Sequence, residues 1–283
     1  MFKCNNLIMI ALFVVLIALI IWIIWGNTAL VLSNYTISSS KLPEEFSGFR
    51  IVQVSDLHNA KIGKNNSKLL SMIKDAQPNI IVITGDLIDS RKTDLDTAVA
   101  FAQSAVQIAP CYYVTGNHES RVAVYSTLKE KLIEIGVTIL DDASCALSNS
   151  GANISLIGIN DPAFYTDYLI GDEESSIKNS LNSIEIEKDQ FQLLLSHRPE
   201  YIHLYATYDI DLVLSGHAHG GQFRLPFIGG VYAPNQGLFP EYDAGIHTFE
   251  NTSMIISRGI GNSLFPFRIN NRPEVILVEL EHQ

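Results

Sequence analysis

The chain has 283 residues, 47% of them hydrophobic, enough for one large α/β domain or two small ones beyond any targeting segment. The net charge is −11, and Lys3 is the only charged residue among the first forty, so the remainder carries 18 basic and 30 acidic side chains. Such a surface does not hold nucleic acid by neutralising phosphates, which excludes nucleic acid as a tight partner, and an anionic substrate needs locally concentrated positive charge such as bound metal ions supply.

After a short flank (1–6), residues Leu7 to Trp25 form an unbroken apolar run of 19. As a helix it is about 28 Å long, the thickness of a bilayer's hydrocarbon core. The run reads as a transmembrane helix of the signal-anchor type; a cleaved secretory signal has a shorter apolar core of about 7–15 residues and a small-residue cleavage site. Lys3 before the run, with Trp22 and Trp25 as an interfacial belt at its far end, predicts a single-pass protein of the cell membrane with an extracytoplasmic domain and the lipid bilayer as partner. Residues 26–49, serine-rich and broken by Pro43, predict a tether that contributes one edge strand, with the globular domain over 50–283. Three cysteines are too few for a disulfide framework. Cys4 precedes the apolar run, where a lipoprotein cysteine would follow it, and Cys111 and Cys145 read as two separate buried thiols in preference to a pair.

From Arg50 on, short apolar runs alternate with stretches of helical length. RIVQVSD, NIIVITGD and CYYVTGNH are too short for helices and too apolar for one-sided strands, so each predicts a strand of a buried parallel sheet. Helices are expected over about 65–76, 94–108 and 120–135, giving βαβ units. NISLIGIN, QFQLLLSH, DLVLSGH, SMIISRG and PEVILVEL follow at closer spacing, which predicts a second half richer in β-structure.

Metal-binding residue types gather where those runs end: Asp56 and His58, Asp86 and Asp89, Asn117 and His118, His197, then His217 and His219. The carboxyl ends of parallel strands form the crevice where ligands bind in open α/β sheets, so five strands deliver donors to one place. Mixed oxygen and imidazole donors suit Zn, Mn or Fe, and one carboxylate has two oxygens with which to bridge two ions. A single such fragment is commonly a cap, a turn or a satisfied histidine; five in order are hard to reconcile with chance.

Taken together, D-L-H, G-D-L-I-D, G-N-H-E, S-H and G-H-A-H resemble the signature of the calcineurin-like metallophosphoesterases, and the resemblance covers about residues 50–283. It implies an α/β fold of two mixed β-sheets in a sandwich flanked by helices, with two divalent metal ions (Mn, Fe or Zn) at one end. Asp56, His58, Asp86 and His219 would hold one ion and Asp86, Asn117, His197 and His217 the other, with Asp86 as the bridge. His118 would stand beside the metals, oriented by Asp89. Two cations about 3.5–4 Å apart lower the pKa of a shared water, so the expected nucleophile is a metal hydroxide. A cationic His118 would protonate or stabilise the departing oxygen. Glu119 either orients a neighbouring group or is a solvated carboxylate at a helix start.

Asp89 is followed by Ser90 and Arg91, not by the Arg-Gly of protein serine/threonine phosphatases. SGHAHGGQFRLP and SRGIGNSLFPFRINNRPEVILVEL are similar to a small, often membrane-anchored bacterial branch of the family, which implies a phosphorylated small-molecule or lipid substrate. Arg258, Arg198 and Arg224 are candidate phosphate clamps, Arg258 the foremost, although each also fits an ordinary ion pair. FRLPFIGG (223–230), GLFP (237–240) and SLFPF (263–267) either form an apolar approach to the metals, dip into the bilayer interface, or pack against sheet edges. The competing class is a metal-loaded binding or scaffold protein without turnover; the full expected ligand set together with His118 favours the enzyme.

Overall fold

The computed structural model describes residues 2–166, 172–187, 189–262 and 265–283. Met1, Ser263 and Leu264, and the side chains of Lys3 and Cys4, lie outside the described residues. The apolar run folds as α1 (Phe2–Thr28), longer at both ends than the run itself, and it continues through Gly26 to Thr28. Its stretch Ile8–Thr28 is long and apolar enough to cross a membrane, and none of its most apolar window is buried against the rest of the chain. An all-round apolar surface of this kind suits lipid and not water.

The stretch 26–49 supplies the edge strand expected of it and packs against the domain along most of its length. Only Ala29 and Leu30 separate α1 from β1 (Val31–Ser39), which pairs along its whole length with the final strand. Leu42 and Phe46, 1% and 0% exposed, are buried in the core. The polar residues that read as a linker lie on one side of this strand: Asn34, Thr36 and Ser38 are exposed, whereas Ile37 is buried and Tyr35 packs with it. The folded domain therefore begins at Val31.

The first half continues with β2 (Phe49–Val54), α2 (Ser67–Asp75), β3 (Ile80–Thr84), α3 (Leu95–Ala105), β4 (Cys111–Val114), α4 (Asn117–Ser120), α5 (Tyr125–Glu134) and β5 (Thr138–Ile139). Then come β6 (Ala143–Asn149), β7 (Ala152–Gly158), α6 (Glu173–Ser183), β8 (Gln192–Leu195), α7 (Ile202–Ala206) and β9 (Leu212–Ser215). Two small hairpins follow, β10 (Arg224–Leu225) with β11 (Gly229–Gly230) and β12 (Tyr232–Ala233) with β13 (Gly237–Leu238). The chain closes with β14 (Gly245–Phe249), β15 (Thr252–Ile256) and β16 (Glu274–His282).

Two mixed sheets result, in the orders β1-β16-β2-β3-β4-β5 and β14-β15-β9-β8-β7-β6. Val82, Val114 and Val278 of the first sheet meet Leu193, Leu214 and Ile255 of the second in a shared apolar layer. The outer face of the first sheet is covered by Leu69, Phe101 and Leu128 of α2, α3 and α5, and that of the second by Ile177 and Tyr205 of α6 and α7. Burying both faces explains why the central strands are mostly apolar, with Gln53 of β2 and Gln192 of β8 held by hydrogen bonds.

Strands β2, β3 and β4 run parallel, as do β7, β8, β9 and β15, so their carboxyl ends share one rim. β16 is antiparallel to β2, and β1 is parallel to β16 with Val31 opposite Glu274. The last turn of α1 consequently meets the domain at that same rim.

Candidate metal centre

All seven residues expected to hold metal lie at this rim, each no more than 7% exposed. Asp56 and His58 follow β2, Asp86 follows β3, Asn117 opens α4 after β4, His197 follows β8, and His217 and His219 follow β9. Five of them, Asp56, His58, Asp86, His217 and His219, have positive φ between 46° and 68°. Non-glycine residues seldom adopt this left-handed backbone, and its cost, of order 1–3 kcal/mol each, persists mainly where function demands the geometry. After β2, β3 and β9 the chain makes its sharp turn at the donors, which swings their side chains over the sheet end.

Asp56, His58, Asp86 and His219 bring ligand atoms within 4.8 Å of one another, as do Asp86, His197 and His217. Asp86 is common to both groups. His58 Nε2 and His197 Nε2 lie 3.4 and 3.3 Å from Asp86 Oδ2, and His219 Nε2 lies 3.2 Å from Asp56 Oδ1. The His197 Nδ1–H donates to Thr84 O at 2.8 Å, which turns Nε2 toward the cluster. Asn117 Oδ1 and His197 Nε2 are buried with no hydrogen-bond partner among the described residues. Buried polar atoms rarely lack partners, so polar atoms left unsatisfied in a cluster of buried carboxylates and imidazoles fit a bound cation there. The donor set, oxygen and imidazole, fits a first-row divalent ion.

The electrostatics agree. Burial holds the imidazoles of His217 and His219 well below their ordinary pKa and brings His58 down to about 3, which keeps their lone pairs available. Burial pushes Asp56 up to about 6. At Asp86 burial acts upward too, but His197 and His118 outweigh it and hold the carboxylate well below its usual range. His197 is driven to about 10: burial opposes its cation, yet Asp86 and Asp56 prevail, so two carboxylates call for positive charge here.

His118 stands beside the cluster, Nε2 at 4.0 Å from Asp86 Oδ2. Its Nδ1 faces the Ser90 amide as well as Asp89. The Ser90 amide donates to His118 Nδ1 at 2.9 Å, while Asp89, 3.5 Å away, is engaged by the Arg91 guanidinium through both oxygens at 3.0 and 2.6 Å. An Nδ1 that accepts cannot carry a proton, so neutral His118 bears its proton on Nε2. Glu119 is not solvated: it is fully buried and accepts from the amides of Asp86, Ile88 and Gly116 at 3.0, 3.1 and 2.7 Å. It thereby ties the turn after β3 to the turn after β4, while burial and the Asp86 charge push its carboxyl up to about 8.

None of the three candidate clamp arginines lines the cavity over the metal cluster. Arg258 is paired with Glu274 at 2.9 Å, Arg224 with Asp243 at 3.0 Å, and buried Arg198 grips Asp161 at 2.6 and 2.9 Å. Arg91 and Arg121, which sequence reasoning missed, line that cavity together with Ser90, Tyr232 and Asn235. Two glycines were also passed over. A Cβ at Gly216 would strike Ser55 Oγ and Asp56 Oδ2, and one at Gly116 would strike Asp86 Oδ1, so the loops close over the carboxylates only with glycine there. The G-H and G-N-H pairs were the available signal. Cys111 and Cys145 are both free, the first buried and the second half-buried.

A sandwich of two mixed sheets with a seven-residue Asp, Asn and His cluster at one rim defines a metal-dependent phosphoesterase. The profile of the calcineurin-like phosphoesterases matches residues 49–221, and the chain belongs to that family. It is 29% identical over 258 residues to the uncharacterised metallophosphoesterase YkuE of Bacillus subtilis, covering 88% of this chain and 85% of the relative. It is 27% identical over 242 residues to the phosphodiesterase YaeI of Escherichia coli, covering 82% of each. A transmembrane protein with a metallophosphoesterase domain from Danio rerio is 30% identical over 253 residues, 85% of this chain and 55% of the relative. Among solved structures, the TT1561 protein of Thermus thermophilus shares the fold with a TM-score of 0.50 at 12% identity, covering 75% of this chain and 90% of that one. The apolar α1 and the transmembrane relatives point to anchoring in a membrane.

Proposed function

We propose that the chain is a dinuclear, membrane-anchored phosphohydrolase whose domain lies outside the cytoplasm and which cleaves a phosphoester or phosphoanhydride, with a lipid-linked phosphate as the substrate class. The observation that carries the reading is Asp86, shared by both donor groups, with His197 Nε2 3.3 Å from its Oδ2 and with Asn117, whose Oδ1 has no hydrogen-bond partner among the described residues, lining the same cavity. Asp56, His58, Asp86 and His219 would hold one divalent cation and Asp86, Asn117, His197 and His217 the other. Such a pair supplies positive charge for the phosphate and makes water an effective nucleophile.

The chain's own residues do the rest. Glu119 holds the two turns that carry Asp86 and Asn117 in register. His118, its Nδ1 satisfied by the Ser90 amide, presents the Nε2–H to the leaving oxygen and stabilises the charge that develops there. Arg91 and Arg121 add positive charge along one wall of the cavity for the substrate's anionic oxygens. The anchor supports a substrate at the membrane surface, and Lys3 before the apolar run supports the outward orientation.

The test is a hydrolysis screen of the full-length protein in detergent with Mn, Fe(II) or Zn, across phosphomonoesters, phosphodiesters and pyrophosphates. Metal-dependent turnover in at least one class, lost in Asp86→Asn, is the expected result. Stoichiometric metal binding with no turnover in any class would instead favour the scaffold reading.

A further inference from the structure

The anchor is fastened to the domain next to the metal cluster. Asn27 Nδ2 donates to Arg268 O at 3.0 Å and Asn27 Oδ1 accepts from Arg268 N at 2.7 Å, while Arg268 Nη2 lies 3.5 Å from His219 Nδ1. Arg272 donates to the carbonyls of Ala29 and Leu30 at 2.9 and 2.7 Å, and its guanidinium sits 4.6 Å from the ring centre of Trp25. With two residues between α1 and β1, the domain has no slack to drift from the bilayer or turn its rim away.

From this junction an apolar border runs to the cavity mouth. The Phe223 ring lies 5.0 and 5.6 Å from those of Phe265 and Phe267, and the Arg224 amide donates to Ile269 O at 3.0 Å, which joins the first hairpin to the segment holding Asn27. The second hairpin pairs Tyr232, a wall residue of the cavity, with Leu238. Along this border Phe227 is fully exposed, Leu238, Ile228 and Phe239 are 70%, 62% and 59% exposed, and Phe265 and Phe267 are also exposed. Large apolar side chains gathered on one face mark a surface that meets something apolar. Because the border is continuous with a helix whose own apolar surface is uncovered, that something is the bilayer holding α1.

We propose that this border is a bilayer-docking surface: the loops carrying Phe227, Phe239 and Phe267 enter the interfacial layer, and the metal cavity opens onto the headgroups of the same leaflet, where it takes the phosphate of a membrane lipid. The docking stands on the geometry alone, and the lipid substrate rests on the phosphohydrolase reading above.

Both native tryptophans are in α1, which allows a direct test. In full-length protein carrying Trp22→Phe and Trp25→Phe, a single tryptophan is introduced as Phe227→Trp or, at the exposed far end of the domain, as Lys74→Trp. Each variant is reconstituted into phosphatidylcholine vesicles with or without brominated acyl chains. Docking predicts blue-shifted emission and strong bromine quenching for Phe227→Trp and neither for Lys74→Trp. Equal, water-like emission and equal quenching at both positions would overturn the docking, as would a Phe227→Trp signal shielded from bromine by self-association of the chain. In a second arm, Phe227→Asp plus Phe239→Asp should lower the ratio of kcat/KM for a vesicle-borne lipid phosphoester to that for a soluble phosphodiester at least about tenfold, as losing two aromatic anchors from the bilayer interface implies. An unchanged ratio with the quenching result intact would discard the lipid substrate and leave the docking standing; absence of all turnover would fail the enzymatic reading alone.

Discussion

Asn27 and Arg268, 241 positions apart, exchange two hydrogen bonds, and through them the last turn of the apolar helix rests on the segment that contacts the metal-cluster residue His219. The anchor is therefore part of the architecture of the rim and not an appended leash. Its continuation, β1, makes nine residue pairs with β16, so the stretch between helix and domain is structural as well.

The first prediction concerns where the domain can be cut. A chain beginning at Ala29 should fold as a soluble domain, whereas one beginning at Arg50 loses β1, Leu42 and Phe46 and leaves β16 as a bare edge. Each buried apolar side chain contributes about 1.5–3 kcal/mol, and a bare edge invites aggregation. Thermal unfolding and size-exclusion chromatography decide it: equal melting temperatures and monodisperse behaviour for both would show that β1 is dispensable.

Asp86→Asn should reduce metal content at both positions, because one carboxylate serves both donor groups and its loss leaves each with one fewer charge. Asparagine tolerates the left-handed backbone of Asp86 and so isolates the charge effect. Elemental analysis of the purified variant reads the outcome, and full metal retention would remove Asp86 from its bridging role.

His118→Ala should keep its metal and lose about 10²–10³ in kcat for a substrate with a poor leaving group, the usual cost of removing one preorganised donor to a developing charge. Ser90→Pro, which deletes the amide that donates to Nδ1, should lower kcat in the same direction with metal retained, since the imidazole is then free to turn. If kcat for the poor leaving group survives in His118→Ala, the leaving-group assignment is wrong.

Topology can be read with a thiol. Burial pushes the Cys111 thiol up to about 12 and raises that of Cys145, so neither supplies much thiolate at neutral pH. In a Cys4→Ser background, which removes the thiol on the other side of the apolar helix, a cysteine introduced by Lys74→Cys lies on an exposed helix end. A membrane-impermeant maleimide should label it on intact cells; labelling only after lysis would put the domain in the cytoplasm.

The apolar runs, the donors at their ends and the pairing of Asp with His were legible in the linear chain, because strands and the turns that end them are local and their side-chain chemistry is read position by position. So were the anchor and the two-sheet fold, the latter through the resemblance those motifs carry. What the linear chain left open were relations between residues far apart. Arg198, Arg224 and Arg258 offered equal charges, and only packing showed that Asp161, Asp243 and Glu274 engage them while Arg91 and Arg121 reach the cavity. Asp89 stands two residues from Arg91, but the orienting donor to His118 is a backbone amide, which no residue type announces. Residues 31–39 became a strand because β16 lies beside them, and the helix met the rim that carries the donor cluster because β16 runs against β2. Strand direction and edge pairing are settled by hydrogen bonds across more than 200 residues of chain, so the position of the anchor relative to the clustered metal-binding residue types belongs to the tertiary structure alone.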